Sequence, residues 1–382
     1  DNDILTVTSG TGTVTFTGAI GATEELGGLN VNASSGNGVI TFTSTIGDSG
    51  NAGVIGTTSI GNAATSDLNF NSTIYKFDGA TTITAASGDT IDMGAGAATT
   101  FTTAADNITF ATGNIELANG SNLTVDTGAA GGNITIGEIG GTSVETVTLD
   151  AGTGTTSVGV IGSGTEIGAL SIGSAEDGGI TLNGAITTDG VVTLDGPITL
   201  ATGAITITTA DDAINLQGTV DGGQALTLSS GSAAITADGA IGSSTALTSL
   251  TVNSSGAGTI EIADIGTSSA AGVSGATAIG NTSTGTLTLD GTVYTTTGTQ
   301  TYTAATGGGN IDITNTAGTT FTTTNTAVAF NTSGVDLANN ATTTIDTGTG
   351  AGDVTFQGAI ETNGGDNDIL TVTSGTGTVT FT

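Results

Sequence analysis

The string DNDILTVTSGTGTVTFT fills residues 1–17, and the same seventeen residues return at 366–382, an offset of 365 (Asp1 to Asp366). An unbroken copy at that distance predicts a tandem array, of which this chain holds one full period and the start of the next. Within the string, Leu5 and Val7, then Val14 and Phe16, alternate with Thr. Alternation with a period of two marks a strand with one buried face. The SGTG between the two pairs is turn chemistry. The string therefore reads as strand, corner, strand.

Working outward, the same pattern continues. Leu29/Val31, Ile40/Phe42, Leu68/Phe70, Ile91/Met93, Ile108/Phe110, Ile115/Leu117, Leu123/Val125 and Ile134/Ile136 are further alternating pairs, separated by Gly-, Ser- and Asn-rich turns. No stretch carries an i, i+3, i+4, i+7 apolar face, so essentially no α-helix is expected. A second copy lies about 220 residues on. Leu5, Val14, Ile20, Leu26, Leu29 and Val31 match Leu226, Ile235, Ile241, Leu247, Leu250 and Val252 at 221, whereas Phe101, Phe110, Leu117, Asp126 and Ile134 match Phe321, Phe330, Leu337, Asp346 and Val354 at 220. Apolar positions survive while turn residues vary. The segment 141–225 has no counterpart, yet it keeps the rhythm with Leu170/Ile172, Ile180/Leu182, Val192/Leu194, Ile198/Leu200, Ile205/Ile207 and Ile214/Leu216. The period thus divides into a long unit, 1–225, and a short one, 226–365, with 366–382 opening the next period.

Strands this short cannot bury an apolar face singly, and separate hairpins would leave open edges throughout. Coiling the chain so that each strand stacks in parallel on its equivalent in the next turn meets both demands. The fold expected is all-β, a parallel β-helix (β-solenoid) forming one continuous repeat array. With two or three strands per turn, a rung takes roughly 18–24 residues, and a period spans roughly 15–20 rungs at about 4.8 Å each. Leu5, Phe16, Val31, Phe42, Phe101, Leu117, Leu226, Leu250, Val252, Phe321 and Leu337 are the expected core ladder. The single proline, Pro197, precedes Ile198 at a strand start, where a missing N–H is tolerated.

Composition narrows function. Asp and Glu total 34 against one basic residue, Lys76, for a net charge of −33. Such a surface repels nucleic acid and anionic lipid, so neither is an expected partner. No apolar run reaches the ~18–20 residues of a membrane span, so insertion is not expected. The 36% hydrophobic content, set in regular β-type runs, argues against disorder despite 66 glycines. Cysteine is absent, which removes disulfides and thiolate chemistry.

Three strings carry a family resemblance: GAIGATEELGGLNVNASSGNGVITF (18–42), GAIGSSTALTSLTVNSSGAGTIEI (239–262) and NGAITTDGVVTLDGPITLATGAITI (183–207). They resemble the repeats of filamentous-haemagglutinin-like giant adhesins, over nearly the whole chain. The resemblance implies a right-handed parallel β-helix, secretion, and a fibrous or adhesive role. The amino-terminal secretion domain of that family is not in this sequence. The nearly exact long period also departs from the irregular repeats of such adhesins and favours a regular fibre.

Candidates for chemistry are few. Histidine, cysteine and arginine are missing, and with them most routes to general-base, nucleophilic or oxyanion chemistry. The carboxylate pairs Glu24-Glu25, Glu176-Asp177 and Asp211-Asp212 sit in turn-like contexts and read as solvated turn acids, against the acidic groups of polysaccharide-cleaving β-helices. Oxygen ligands of the kind Ca²⁺ takes cluster at Asp1 and Asp3 and at their copies Asp366 and Asp368. GGGNID, ending on Asp312, approaches the GGxGxD calcium-roll pattern but has Asn for one Gly and occurs once. The competing reading, Asx-rich turns, is preferred for all five, and no cofactor is expected. There is no GxGxxG or P-loop to support nucleotide binding. Asn-x-Ser/Thr triplets at Asn71, Asn107, Asn122, Asn133 and Asn253 suit glycosylation only in a source with that machinery. Thr-x-Thr triplets, as at Thr13, Thr41 and Thr206, would suit an ice-binding face if stacked on one flat side, but their sequence spacing is irregular.

The reading with most support is a non-enzymatic structural protein, extracellular or on a cell surface, extended by self-stacking along one axis with bundling left open. The alternative is a stalk that presents a separate adhesive domain.

Overall fold

The computed structural model describes residues 3–33, 38–173, 178–362 and 367–382. There is no helix among them, strands make up 50%, and the parallel sheet winds as a β-solenoid of about 15 turns. The chain divides into two compact units, 1–190 with 194–196 and 191–193 with 197–382.

In the first unit each turn supplies strands to three files. The first file stacks Ile4–Ser9, Gly28–Ala33, Thr58–Gly61, Thr81–Thr84 and Ile108–Thr112, all in parallel. The second stacks Val14–Phe16, Gly38–Phe42, Thr65–Phe70, Thr90–Met93 and Asn114–Leu117. The third begins as single bridges, Ile20 to Ile46 to Tyr75, and widens into Thr99–Thr102, Leu123–Asp126, Thr146–Asp150 and Ala169–Ile172. Ile134–Gly140 runs through a corner, pairing with the first file at Ile108 and with the second at Ile115. The second unit repeats the plan: Leu226 on Leu250, Ile235 on Ile260, and Ile241 bridging Ile265, which bridges Tyr294.

Registers are residue-for-residue apart from local shifts such as those between Gly38 and Val39 and between Phe110 and Thr112, so alternation carries inward side chains onto inward side chains. Leu29, Val31, Ile40, Phe42, Ile60, Leu68, Phe70, Ile83, Ile91 and Met93 are all buried, as are their second-unit equivalents Leu250, Val252, Ile260 and Ile262. Burying one such side chain is worth about 1.5–3 kcal/mol, and the ladder repeats it at each rung.

Rungs are longer than the sequence suggests. They run from 21 residues (Ile205 to Leu226) to 29 (Leu29 to Thr58). The extra length lies in corner loops such as 47–53 and 266–272, which leave the coil and return. Both loops start and end on glycine, and the approach is close. A Cβ on Gly53 would lie 2.3 Å from the Gly47 nitrogen, and one on Gly272 would lie 2.2 Å from that of Gly266. No other residue fits there.

Sequence similarity and position on the coil are separate matters. VTLDAGTG at 147–154 resembles LTVTSGTG at 5–12, and Leu170 follows Val147 as Leu29 follows Leu5. The pairing matches too, Leu5 on Leu29 and Val147 on Leu170, but the second pair lies in the third file. The second unit shows the same shift. From Leu226 six steps of one file pass Leu250, Thr277, Gln300, Val328 and Val354 to reach Val379. Leu370, the copy of Leu226 by sequence, pairs instead with Thr343 in another file. An offset of 144 residues (226 to 370) is therefore not a whole number of turns. The files accept the displaced string because each presents the same inward alternation.

Candidate functional site

Val31, Phe42, Phe101, Leu117, Leu226, Leu250, Val252, Phe321 and Leu337 are buried, whereas Leu5 and Phe16, on the first rung, are half-buried. The aromatics among them form files. Phe16, Phe42 and Phe70 stack with centroids 5.0 and 5.4 Å apart. Tyr302, Phe330, Phe356 and Phe381 do so at 5.3, 5.0 and 5.4 Å. Near-parallel rings one rung apart follow from in-register strands and add about 0.5–1.5 kcal/mol per pair beyond area burial.

One core exchange was invisible in the sequence. Between the two matched blocks the offset is 219, aligning Tyr75, Phe77, Thr81 and Ile83 with Tyr294, Thr296, Gln300 and Tyr302. Where the first unit fills the corner with the Phe77 ring, the second uses a buried polar cluster. Gln300 Nε2 donates to the Tyr294 carbonyl at 2.7 Å, the Thr322 carbonyl at 3.0 Å and Thr296 Oγ1 at 3.2 Å, and Tyr302 donates to Gln300 Oε1 at 3.1 Å. Every polar atom of the Gln300 amide has a partner, as burial requires.

The Asp and Asn residues work mainly as caps. Asp126, Asp150 and Asp346 accept the N–H two residues on, closing Asx turns. Others reach the next rung. Asp264 Oδ1 accepts from the N–H groups of Thr292 and Val293 at 2.7 and 2.9 Å, and Asp221 from those of Ser244 and Thr245 at 2.8 and 2.9 Å. Asn107 caps Asn133, whose own side chain caps Thr155. These bonds satisfy backbone donors where the chain leaves the ladder. Among the described residues Glu145 is the one fully buried carboxylate. It accepts from Thr142 N–H and Oγ1, both at 2.6 Å, and from Gly120 N–H at 3.1 Å. Burial pushes its pKa up, but these donors outweigh it and hold the group below its ordinary value.

The catalytic and metal candidates are scattered. Glu24, Glu25 and Asp211 are exposed, and Asp211 Oδ1 caps Ser232 at 2.9 Å. Glu176 and Asp177 lie outside the described residues, as do Asp1 and Asp366. Asp3 is exposed, Asp368 accepts from Asn340 N–H at 2.6 Å, and Asp312 stands in a strand between Thr288 and Asp336. Among the described residues no group of three or more carboxylates is arranged to hold a metal ion. An open groove of about 650 Å³ crosses the first file past Thr6, Asn30, Ser59 and Thr82 and has no ionisable side chain in its lining. Outward threonines do stack at one rung period despite their irregular sequence spacing, as Thr100, Thr124 and Thr148 do, whereas another file changes identity: Thr15 and Thr41 are followed by Asn69, Asp92 and Glu116.

That last file places like charges one above another. Partial burial, then Asp92 and Glu138, hold the Glu116 pKa above its ordinary value; burial and Asp67 do the same for Asp92. A carboxyl whose folded pKa is raised weakens the fold when ionised and restores stability as pH falls through that pKa toward the unfolded value. Glu116→Gln is therefore expected to stabilise the protein at pH 7 by about 0.5 kcal/mol, the scale of an exposed cross-strand charge pair. Urea midpoints over a pH series falling from 7 check this: the gain should shrink as pH falls through the raised pKa of the native carboxyl.

Three-file winding, an in-register apolar core and duplicated segments define a β-helix repeat protein. No family model, curated protein or solved structure matches the chain.

Proposed function

We propose that this chain is a non-enzymatic structural protein that builds an extracellular fibre or sheath from tandem β-solenoid periods. The observation that carries the reading is a core stacked in register in both units, in a chain that repeats its own first seventeen residues. Capping duties for so many Asp residues, with no His, Cys or Arg, support a structural role over a catalytic one. The resemblance to filamentous-haemagglutinin-like repeats supports the extracellular setting. It also favours a second reading, a stalk that carries an adhesive domain. Self-association is the partner interaction proposed, and the charge of −33 disfavours nucleic acid and anionic membranes.

Electron microscopy of a chain of two joined periods tests the fibre reading. Each added period should lengthen a continuous particle by roughly 70 Å, about fifteen rungs at about 4.8 Å. Separate globules joined by flexible links would overturn it. Isolated particles of fixed length with a distinct terminal module on the natural protein would favour the stalk.

A further inference from the structure

The two units differ in charge at one corner. Asp238, Ala263 and Asp290 follow directly on the stacked strands Ile235–Ala237, Ile260–Ile262 and Leu287–Leu289, so they form one column on successive rungs. Glu261 stands on the middle strand in register with Thr236 and Thr288, and Asp264 follows Ala263. The matching positions of the first unit carry Thr17, Thr41, Thr45 and Asn71 in place of Asp238, Glu261, Asp264 and Asp290. Four neighbouring sites are thus acidic in one unit and neutral in the other. Asp264 Oδ1 caps the next rung, accepting from Thr292 N–H at 2.7 Å, Val293 N–H at 2.9 Å and the Thr292 hydroxyl at 3.2 Å. Asp290, two residues before Thr292, has an Oδ1 that is shut off from solvent with no hydrogen-bond partner among the described residues. A buried acceptor surrounded by other acceptors is out of place unless it carries a proton.

We propose that this corner of the second unit is a proton-operated latch, loosened when Asp290 is ionised beside Asp264 and closed when Asp290 takes up a proton. The latch goes beyond the structural role and holds whether or not periods join into a fibre. Charge on Asp290 acts against the carboxylate that keeps Thr292 and Val293 in place. A proton removes that charge and turns an acceptor into a donor. The surroundings are acidic on every side. Glu261 and Asp264, and Asp238 one rung further back, face Asp290 from the earlier strands, while the strand Ile311–Ile313 brings Asp312 into register with Thr288 on the later side. The Tyr294 phenol is buried and donates to the Ile262 carbonyl at 2.8 Å. Lys76, the one basic residue of the chain, belongs to the first unit. Burial pushes the Asp290 pKa up, its own backbone N–H draws it down, and Asp238 and Asp264 raise it again, leaving it above the ordinary value. Burial, then Asp290 and Asp238, raise Glu261 likewise. A carboxyl whose pKa is raised on folding adds stability below its unfolded pKa, and that stability is lost as pH rises through the folded value. The latch therefore closes in acid.

Amide hydrogen exchange reads the latch directly, and the first unit supplies a control in the same molecule. Thr292 and Val293 are expected to gain protection relative to their counterparts Thr73 and Ile74 as pH falls from 7. The gain should be roughly tenfold for each unit by which the folded pKa of Asp290 exceeds the unfolded one. Asp290→Asn should hold the two amides at their acid level of protection at pH 7 and abolish the pH dependence. Asp238→Asn leaves the Asp264 bonds in place and should move the rise to lower pH, which keeps the latch testable if Asp290→Asn does not fold. An unchanged pH dependence in Asp290→Asn, or an equal rise at Thr73 and Ile74, would overturn the latch. So would protection gained from millimolar Ca²⁺ at pH 7 with no response to acid, because a cation and not a proton would then be the closing group.

Discussion

Replacing Phe330 with alanine is expected to lower the unfolding free energy by about 3–5 kcal/mol, measured as a drop in urea midpoint with little change in slope. The ring is fully buried and has neighbours on three sides. It stacks on Tyr302 at 5.3 Å and on Phe356 at 5.0 Å, and meets Phe321 edge-on at 5.4 Å. Truncation leaves a void that the rungs on either side cannot close, because each is held by its own ladder of backbone hydrogen bonds. Phe16→Ala should cost less, since that ring is half-buried and stacks only on Phe42. A similar loss at both sites would mean that the stack contributes little and that strand pairing alone holds the coil.

Glu145→Ala is expected to cost about 1–3 kcal/mol, because it removes the acceptor shared by two backbone N–H groups and the Thr142 hydroxyl. Glu145→Gln keeps one acceptor and should lose less. The sign of the pH effect follows from the lowered pKa. The carboxylate supports the fold above the unfolded pKa, near the ordinary 4.5, and that support is lost as pH falls through the folded value. In the Ala variant this component of acid sensitivity should vanish, seen as a flatter plot of urea midpoint against pH below about pH 5. An unchanged acid limb would place the sensitive group elsewhere. Glu116 acts in the opposite sense, so Glu145→Ala and Glu116→Gln should bend the pH profile in different directions.

Much of the coil was legible in order. Pairs such as Leu5/Val7, Ile40/Phe42 and Leu123/Val125 announce strands because alternation is a local property, readable without knowing the neighbour. The match of Leu26 to Leu247 across 221 residues is reproduced by their bridges, Leu26 to Val54 and Leu247 to Val273. Rung length was less legible, because corner loops such as 47–53 bear no fixed relation to the strands they join. Capping roles were half legible. Asp126 before Thr-Gly reads as a turn, but Asp264 gives no local sign that its partners are Thr292 and Val293, a full rung away.

By itself the sequence determined the strand chemistry, the absence of helix and the existence of a long period, since each is written in spacing along the chain. Only the tertiary structure decided which file a strand joins, as when Leu370 departs from the file of Leu226, and how the corner filled by Phe77 is rebuilt with Gln300. The physical reason is that in-register stacking couples residues some two dozen positions apart. A few residues gained or lost in the corners then shift every later partner while leaving the local pattern unchanged.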